Sequence, residues 1–372
     1  MKITHVEPMV LRWGPIDASR PDGTQDAFLV RLHTDEGLVG IGEADTSPDV
    51  AYTIIDMPSS HAVARGLAEL IVGEDPLQIR RLWDAMFVGS YHYGRDGAAL
   101  HAISAIDMAL WDLAGKAAGR PICDLLGGGR AEYVNVYASE VMPETAEDVA
   151  ELAGRVTREG FGALKLGWGP LGTDLGRDID LISAAREAIG PDRRLMVDGG
   201  MAYSVKKARQ LCRCCESLDL SWFEEPFDAD DMSSYRRLSD TVAVRIACGE
   251  AHSTLRSFKR LIDEGRVDVL QPDLGRCGGI TVAAEVARLA SADNVDVVPH
   301  SFSTDVLLAA SLQFVASLGG ERLVEYPVTA SIRSGSIVAE PFLPRDGLLA
   351  VPRGPGLGIE LNDDEVARRR VR

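Results

Sequence analysis

Leu195-Met196-Val197-Asp198, Ser221-Trp222-Phe223-Glu224-Glu225-Pro226 and Ala247-Cys248-Gly249-Glu250 are three short apolar runs, each closed by a carboxylate. Asp198, Glu224 and Glu250 follow one another at a constant interval of 26 residues. Short apolar strands alternating with helix-length segments are β/α units, and near-continuous apolar strands belong to a parallel sheet covered on both faces. Equal increments place the three carboxylates at equivalent ends of neighbouring strands. In a closed barrel that end is the mouth where catalytic groups sit.

The pattern extends in both directions. Eight strands are expected: Val134–Tyr137, Ala163–Leu166, Leu195–Asp198, Ser221–Glu224, Val244–Gly249, Val267–Gln271, Val295–Pro299 and Leu323–Glu325. Seven amphipathic segments separate them, among them Ala146–Glu159, Ile179–Ala188, Val205–Leu218, Thr281–Ala292 and Thr304–Ala316. Residues 1–125 read differently. Alternating runs at Met1–Arg12, Ala27–Leu32 and Leu38–Glu43 suggest antiparallel strands, and helical periodicity follows through His61–Ile71, Pro76–Phe87 and Ala98–Ala117. The expected fold is α/β: an N-terminal α+β capping unit (1–125), a (β/α)8-type barrel (126–330), and a Pro/Gly-rich segment (331–372) that returns to the cap.

The chain carries 39 Lys and Arg against 56 Asp and Glu, a formal charge of -17. That balance argues against binding nucleic acid or an anionic membrane surface. No apolar run is long enough for a transmembrane helix, and the start lacks the features of a secretory signal. Six cysteines in 372 residues do not make a disulfide scaffold, and Cys212, Cys214 and Cys215 lack a matching His/Cys pair at zinc spacing. A cytoplasmic homo-oligomer is expected.

Three convergent carboxylates repel one another unless protonated or held by a cation. An all-oxygen donor set suits a hard ion such as Mg2+. Side chains alternate along a strand, so only one of Glu224 and Glu225 is expected to point inward, and Glu224 keeps the register. The sixth and seventh expected strands end in Gln271-Pro272-Asp273 and Val298-Pro299-His300, where Asp273 can fix the tautomer of His300 and raise its basicity. The eighth ends at Glu325, and the second carries Lys165. His252, two residues beyond Glu250, faces either the substrate or a surface loop. A cation on one flank, an Asp–His pair on the other and a metal site between them form a layout for abstracting the proton next to a carboxylate. A Lys or His base with Mg2+ is the general description of enolase-type sites.

Trp222-Phe223-Glu224-Glu225-Pro226, Gly249-Glu250, Gln271-Pro272-Asp273, Pro299-His300 and Ala102-Ile103-Ser104-Ala105-Ile106-Asp107-Met108-Ala109-Leu110-Trp111-Asp112 together resemble the mandelate racemase group of the enolase superfamily. The resemblance covers nearly the whole chain. It implies Mg2+ on Asp198, Glu224 and Glu250, an Asp273–His300 dyad, and Glu325 bonded to a substrate oxygen. It also implies cap loops near residues 14–27 and 47–60 that close over the site and choose the substrate. One departure matters. The group's second strand ends in Lys-x-Lys, whereas here Lys165-Leu166-Gly167 lacks the second lysine, a base on the face opposite the histidine. A one-base site suits dehydration of a sugar acid, or cycloisomerisation of a lactone or anhydro-sugar acid with Lys165 as the second acid/base, ahead of racemisation of a 2-hydroxy acid. Trp168 is expected to line the space that the lysine leaves.

Two competing readings are weaker. Gly167-Trp168-Gly169-Pro170-Leu171-Gly172 matches the glycine spacing of a dinucleotide loop. Pro170 and the Thr173–Gly176 stretch delay the helix that would have to meet a pyrophosphate. A non-catalytic sugar-acid binder would need no base.

Overall fold

The computed structural model describes residues 1–20, 24–129, 131–318, 323–333 and 335–372. Part of the expected cap loop at 14–27, residues 21–23, therefore lies outside the described residues. The N-terminal part contains β1 (Ile3–Arg12), β2 (Asp26–Thr34), β3 (Val39–Ala44), α1 (Pro48–Asp56), α2 (Leu67–Ile71), α3 (Ile79–Gly89), α4 (Ala98–Ala118) and α5 (Ile122–Leu125). The three strands form one antiparallel sheet in the order β1-β2-β3. Two expectations fail here. The segment 47–60 is not all loop: Pro48 opens α1, and Ala51, Ile54 and Ile55 bury one face of it. The helix expected over His61–Ile71 is confined to α2, since His61 pairs with Ala64 in an isolated bridge.

Eight parallel strands follow, with a helix after each of the first seven. They are β4 (Tyr133–Val141), α6 (Ala146–Arg158), β5 (Ala163–Gly167), α7 (Leu175–Ile189), β6 (Arg194–Asp198), α8 (Val205–Cys214), β7 (Leu220–Glu224), α9 (Met232–Ser239), β8 (Ile246–Cys248), α10 (Thr254–Arg260), β9 (Val269–Leu270), α11 (Gly279–Ala292), β10 (Asp296–Val297), α12 (Asp305–Ser317) and β11 (Leu323–Pro327). The ladder runs β10-β9-β8-β7-β6-β5-β4-β11. It is a curled parallel sheet, and among the described residues its β10 and β11 edges are not paired. β12 (Leu348–Ala350) adds antiparallel to the start of β4, and α13 (Asp363–Arg369) precedes the C-terminus.

Local chemistry explains the elements. Thr145 caps α6 by accepting from Asp148 N (3.2 Å), and Val149, Ala153 and Val156 form its buried stripe. α12 is buried on every side from Asp305 to Ala316, and its sequence is correspondingly apolar all round. Inside the barrel, Tyr137, Ala163, Met196, Trp222, Ala247, Val269, Val298 and Leu323 form a separate buried cluster with one member from each strand or its end. This plug is the floor of the mouth. Truncating its largest member, Trp222, removes a fully packed ring worth about 3–5 kcal/mol.

The cap is wired into the barrel by buried carboxylates. Glu43 on β3 accepts from Thr304 N (3.1 Å), Leu307 N (2.7 Å) and the hydroxyls of Ser303 and Thr304 at the start of α12. Asp107 on α4 accepts from Thr281 N (2.9 Å) and the Thr281 hydroxyl at the start of α11. Each supplies acceptors to the N–H groups that a helix N-terminus leaves unpaired. The chain end runs beside β1, with Val10 N donating to Arg372 O (3.1 Å) and Val371 N to Val10 O (2.9 Å). Among the described residues no helix is long and apolar enough to cross a membrane.

Candidate active site

Asp198 closes β6 and Glu224 closes β7, and the two are register partners. Glu250 is not on its strand. β8 ends at Cys248, and Gly249 follows with φ +146°, which turns the chain so that Glu250 rejoins the other two. One carboxylate oxygen from each of Asp198, Glu224 and Glu250 lies within 4.8 Å of the others. Burial and the Glu224 charge push the Asp198 carboxyl well above its ordinary range. Burial raises Glu224 too, although Lys165 opposes it. Three such groups in one buried place, all oxygen donors, fit a divalent hard cation. Glu224 is oriented from below: Trp222 Nε1 and Gln271 Nε2 both donate to Oε2, at 2.9 and 2.6 Å.

Glu225 corrects the alternation argument. It is buried like Glu224 and helps to line the cavity, because its φ of +32° breaks the strand. Its Oε1 accepts from Gly249 N (3.1 Å), so it braces the turn that delivers Glu250. Burial and the Glu250 charge push it up to about 7.

Facing the three carboxylates is a cavity of about 330 Å³ whose walls include Lys165, Asp198, Glu250, His300 and Glu325. His300 Nδ1 lies 2.6 Å from Asp273 Oδ2, and Asp273 Oδ1 accepts from Gly275 N at 2.6 Å. Burial opposes a charge on His300, yet Glu250, Glu325 and Asp273 push it up to about 10. Its Nε2 points toward the carboxylates, 3.3 Å from Glu250 Oε2 and 3.8 Å from Glu325 Oε2. Across the mouth, Lys165 Nζ lies 2.5 Å from Glu224 Oε1, 2.8 Å from Glu325 Oε1 and 5.8 Å from the centre of the Tyr137 ring. Burial works against its charge, but Glu224 and Glu325 raise its pKa well above the ordinary value. Burial likewise opposes ionisation of Glu325, and Lys165 and His300 nevertheless hold it down to about 2.

Trp168 lines the same cavity, with φ +59°. His252 does neither of the things expected of it. It is 4% exposed, donates from Nε2 to the Ala229 carbonyl (3.1 Å), and is absent from the cavity wall. The dinucleotide-like loop is closed to a pyrophosphate: α7 begins only at Leu175, and its N-terminus is capped by Asp174, which accepts from Arg177 N (2.8 Å). All six cysteines are free thiols, and Cys212 and Cys215 are buried.

Sequence reasoning missed the cap's own contribution. Asp45, one residue beyond β3, lines the cavity and sits 4.0 Å from His300 Nδ1. Arg276 donates from Nη2 to Asp45 Oδ2 (2.8 Å) and from Nε to the Asp45 carbonyl (3.0 Å). Asp45, Asp273 and His300 also bring ligand-type atoms together. There the Arg276 guanidinium, 4.0 Å from Asp273, already supplies the positive charge. The only available signal was that Arg276 shares a strand-end turn with Asp273.

The mandelate racemase/muconate lactonizing enzyme N-terminal domain matches residues 1–127, and the enolase C-terminal domain-like family matches 148–366. The chain is 33% identical to D-galactarolactone cycloisomerase of Agrobacterium fabrum over 92% of its own length and 91% of that enzyme. It is also 33% identical to L-rhamnonate dehydratase of Saccharopolyspora erythraea, over 92% of this chain and 85% of that one. The crystal structure of 3,6-anhydro-D-galactonate cycloisomerase from Zobellia galactanivorans superposes with a TM-score of 0.90 at 33% identity, covering 100% of both chains. A racemase from Streptomyces coelicolor A3(2) with bound magnesium superposes at 0.87, with 31% identity over 99% of this chain and 100% of that one. With both halves matched and the likeness running over nearly the full length, the chain is an enzyme of the mandelate racemase/muconate lactonizing enzyme family within the enolase superfamily.

Proposed function

We propose that this protein dehydrates a sugar acid to a 2-keto-3-deoxy sugar acid, with Mg2+ held by Asp198, Glu224 and Glu250. The carrying observation is the opposition of two flanks across one cavity, His300 with Asp273 on one side and Lys165 on the other. His300 Nε2, with Nδ1 fixed by Asp273, takes the proton from the α-carbon. Lys165 donates toward the carboxylate as it gains enediolate charge. Glu325, ionised, accepts from a substrate hydroxyl. Electrons from the broken C–H bond form the Cα–Cβ double bond as the β-carbon–oxygen bond breaks. His300 returns its proton to the departing hydroxyl, water leaves, and the enol tautomerises to the keto acid. Mg2+ would supply Lewis-acid charge next to the same carboxylate. Residues 1–125 cap the mouth, 126–330 carry the chemistry and 331–372 tie the end of the chain to the cap.

A second reading is cycloisomerisation, supported by two relatives named as cycloisomerases of a sugar-acid lactone and an anhydro-sugar acid. The first half is the same, but the departing oxygen is a ring atom and stays in the product. A panel of sugar acids, their lactones and anhydro acids, assayed with Mg2+ for keto-acid formation and product mass, separates the two. Loss of water supports dehydration, and an isomer of equal mass supports cycloisomerisation. Absence of both product formation and α-hydrogen exchange in D2O with every compound would sink both and leave a binding protein.

A further inference from the structure

The turn that carries the partner of His300 is also a seat of the cap. Asp273 follows β9 and opens a tight turn closed by Arg276 N, which donates to the Asp273 carbonyl (3.0 Å). The chain leaving β3 in the cap lies directly against this turn. A Cβ on residue 275 would lie 2.7 Å from Asp45 N and 3.1 Å from Asp273 Oδ1, so glycine is what lets the two segments approach. Gly275 N in turn donates to Asp273 Oδ1 (2.6 Å). Arg276 then clamps Asp45 twice, donating from Nε to its carbonyl (3.0 Å) and from Nη2 to its Oδ2 (2.8 Å). Two donors of one planar group on two acceptors of one residue fix angle as well as distance.

The clamp is shielded and anchored. The Arg276 and Asp45 side chains are 24% and 13% exposed, so solvent screens the pair less than a surface one. Arg276 Nη1 also donates to the Glu250 carbonyl (3.4 Å), which ties in the neighbouring strand end. The cap segment is held on both sides of Asp45. Glu43 is bonded to the start of α12, and Thr46 Oγ1 lies 2.9 Å from His101 Nδ1 on α4. A fixed part of the cap is thus joined to the turn on which Asp273 stands. Asp273 in turn sets the His300 ring through its 2.6 Å contact with Nδ1.

We propose that Asp45 and Arg276 are positioning residues through which the seated cap sets the Asp273–His300 base. With the clamp made, the turn is held and the imidazole keeps its angle to the α-carbon. With it broken, the turn shifts and carries Asp273 and His300 along. The consequence for rate rests on the sugar-acid reading above.

The test compares Asp45→Ala, Arg276→Lys and the double variant with the unaltered enzyme, all with Mg2+ present. Arg276→Lys keeps the charge and loses the fork. The first readout needs no substrate. The Nδ1–H proton of His300, in a short bond to a carboxylate, gives a far-downfield proton NMR line, assigned by its absence in His300→Asn. That line should shift or broaden away in both single variants while their far-ultraviolet circular dichroism stays unchanged. The second readout is α-hydrogen exchange in D2O with the best compound of the panel, resolved into kcat and KM. Misplacing a reacting group by about 1 Å costs roughly 100-fold. Each single variant should therefore lose roughly 10- to 100-fold in kcat, with KM within about three-fold. The double variant should be no worse than the poorer single one, since both break one clamp. Asp45→Asn, which keeps an acceptor for Nη2, should fold and recover part of the loss. An unmoved His300 line in both single variants would overturn the proposal, and so would losses that multiply in the double variant. A loss confined to KM would also overturn it and make the pair a substrate contact. If the unaltered enzyme exchanges no compound of the panel, the sugar-acid reading falls, and the NMR line still decides the clamp.

Discussion

A Cβ placed on residue 167 would lie 2.2 Å from the Cβ of Asp198. The two residues are register partners on β5 and β6, so the Asp198 residue itself occupies the space that any side chain at 167 would need. Gly167 is thus tied to the position of Asp198, and the second lysine of the family cannot be restored by one substitution. Gly167→Lys should displace Asp198 and weaken Mg2+ binding by about 10- to 100-fold, the range for groups that position metal ligands. It should not create a racemase. Calorimetric Mg2+ titration beside chiral chromatography on simple 2-hydroxy acids checks both halves. Efficient racemisation by the unaltered enzyme would mean that Lys165 or a cap residue serves the second face.

Asp198, Glu224 and Glu250 crowd carboxylates into one place, and among the described residues the Asp198 carboxylate accepts a hydrogen bond from Gly200 N (2.9 Å). Asp198→Asn should therefore unfold at an equal or higher temperature than the unaltered chain when both are metal-free. It should also lose the rise in Tm that Mg2+ gives the unaltered chain. Turnover should fall below detection. A Tm that still rises with Mg2+ would remove Asp198 from the metal site.

His300 must be neutral to accept the α-proton. Its pKa is raised, so activity should climb as pH rises through the His300 pKa. Bound Mg2+ offsets the Glu250 charge and should draw that pKa down from about 10 in the loaded enzyme. Asp273→Asn removes one of the groups that hold the imidazolium, so its rising limb should shift to lower pH with a lower plateau. His300→Asn should abolish exchange, since a general base contributes typically 10²–10⁴-fold. Full pH–rate profiles of kcat/KM decide this. Persistent exchange in His300→Asn would assign the base to Lys165.

Glu43 offers a readout on stability. Burial pushes its carboxyl up to about 7, against the opposing hydrogen bonds from Thr304, Ser303 and Leu307. A folded pKa above the unfolded value means that the folded chain binds the extra proton. The Glu43 contribution is then greatest below pH 4.5 and falls as pH rises from 4.5 to about 7. The change is on the order of 1–3 kcal/mol. The Tm difference between the unaltered protein and Glu43→Gln should accordingly shrink across that window. A difference that grows with pH would show that the α12 N-terminus prefers the ionised carboxylate strongly enough to reverse the effect of burial.

The order of strands and helices in the barrel, and the convergence of Asp198, Glu224, Asp273, His300 and Glu325 on its mouth, were legible from residues alone. Their signals are local: apolar runs of strand length, amphipathic spacing between them, and polar residues at strand ends. Those features fix which residues emerge together once a parallel sheet curls. Other features depended on contacts that no period in the sequence encodes. Asp45 meets Arg276 across 231 residues, and Glu43 reaches α12 across more than 250. Glu225 enters the wall because one backbone angle leaves the strand region, and Glu250, expected beside Asp198 and Glu224 from its spacing, joins them through the turn at Gly249 and not from its strand. His252 is drawn away by the carbonyl of Ala229. Local sequence sets periodicity and strand ends because they follow from steric and hydrophobic patterning within a few residues. Which carboxylates the cap adds to the mouth is set by packing between distant segments, where burial and hydrogen bonding are settled only after both have folded.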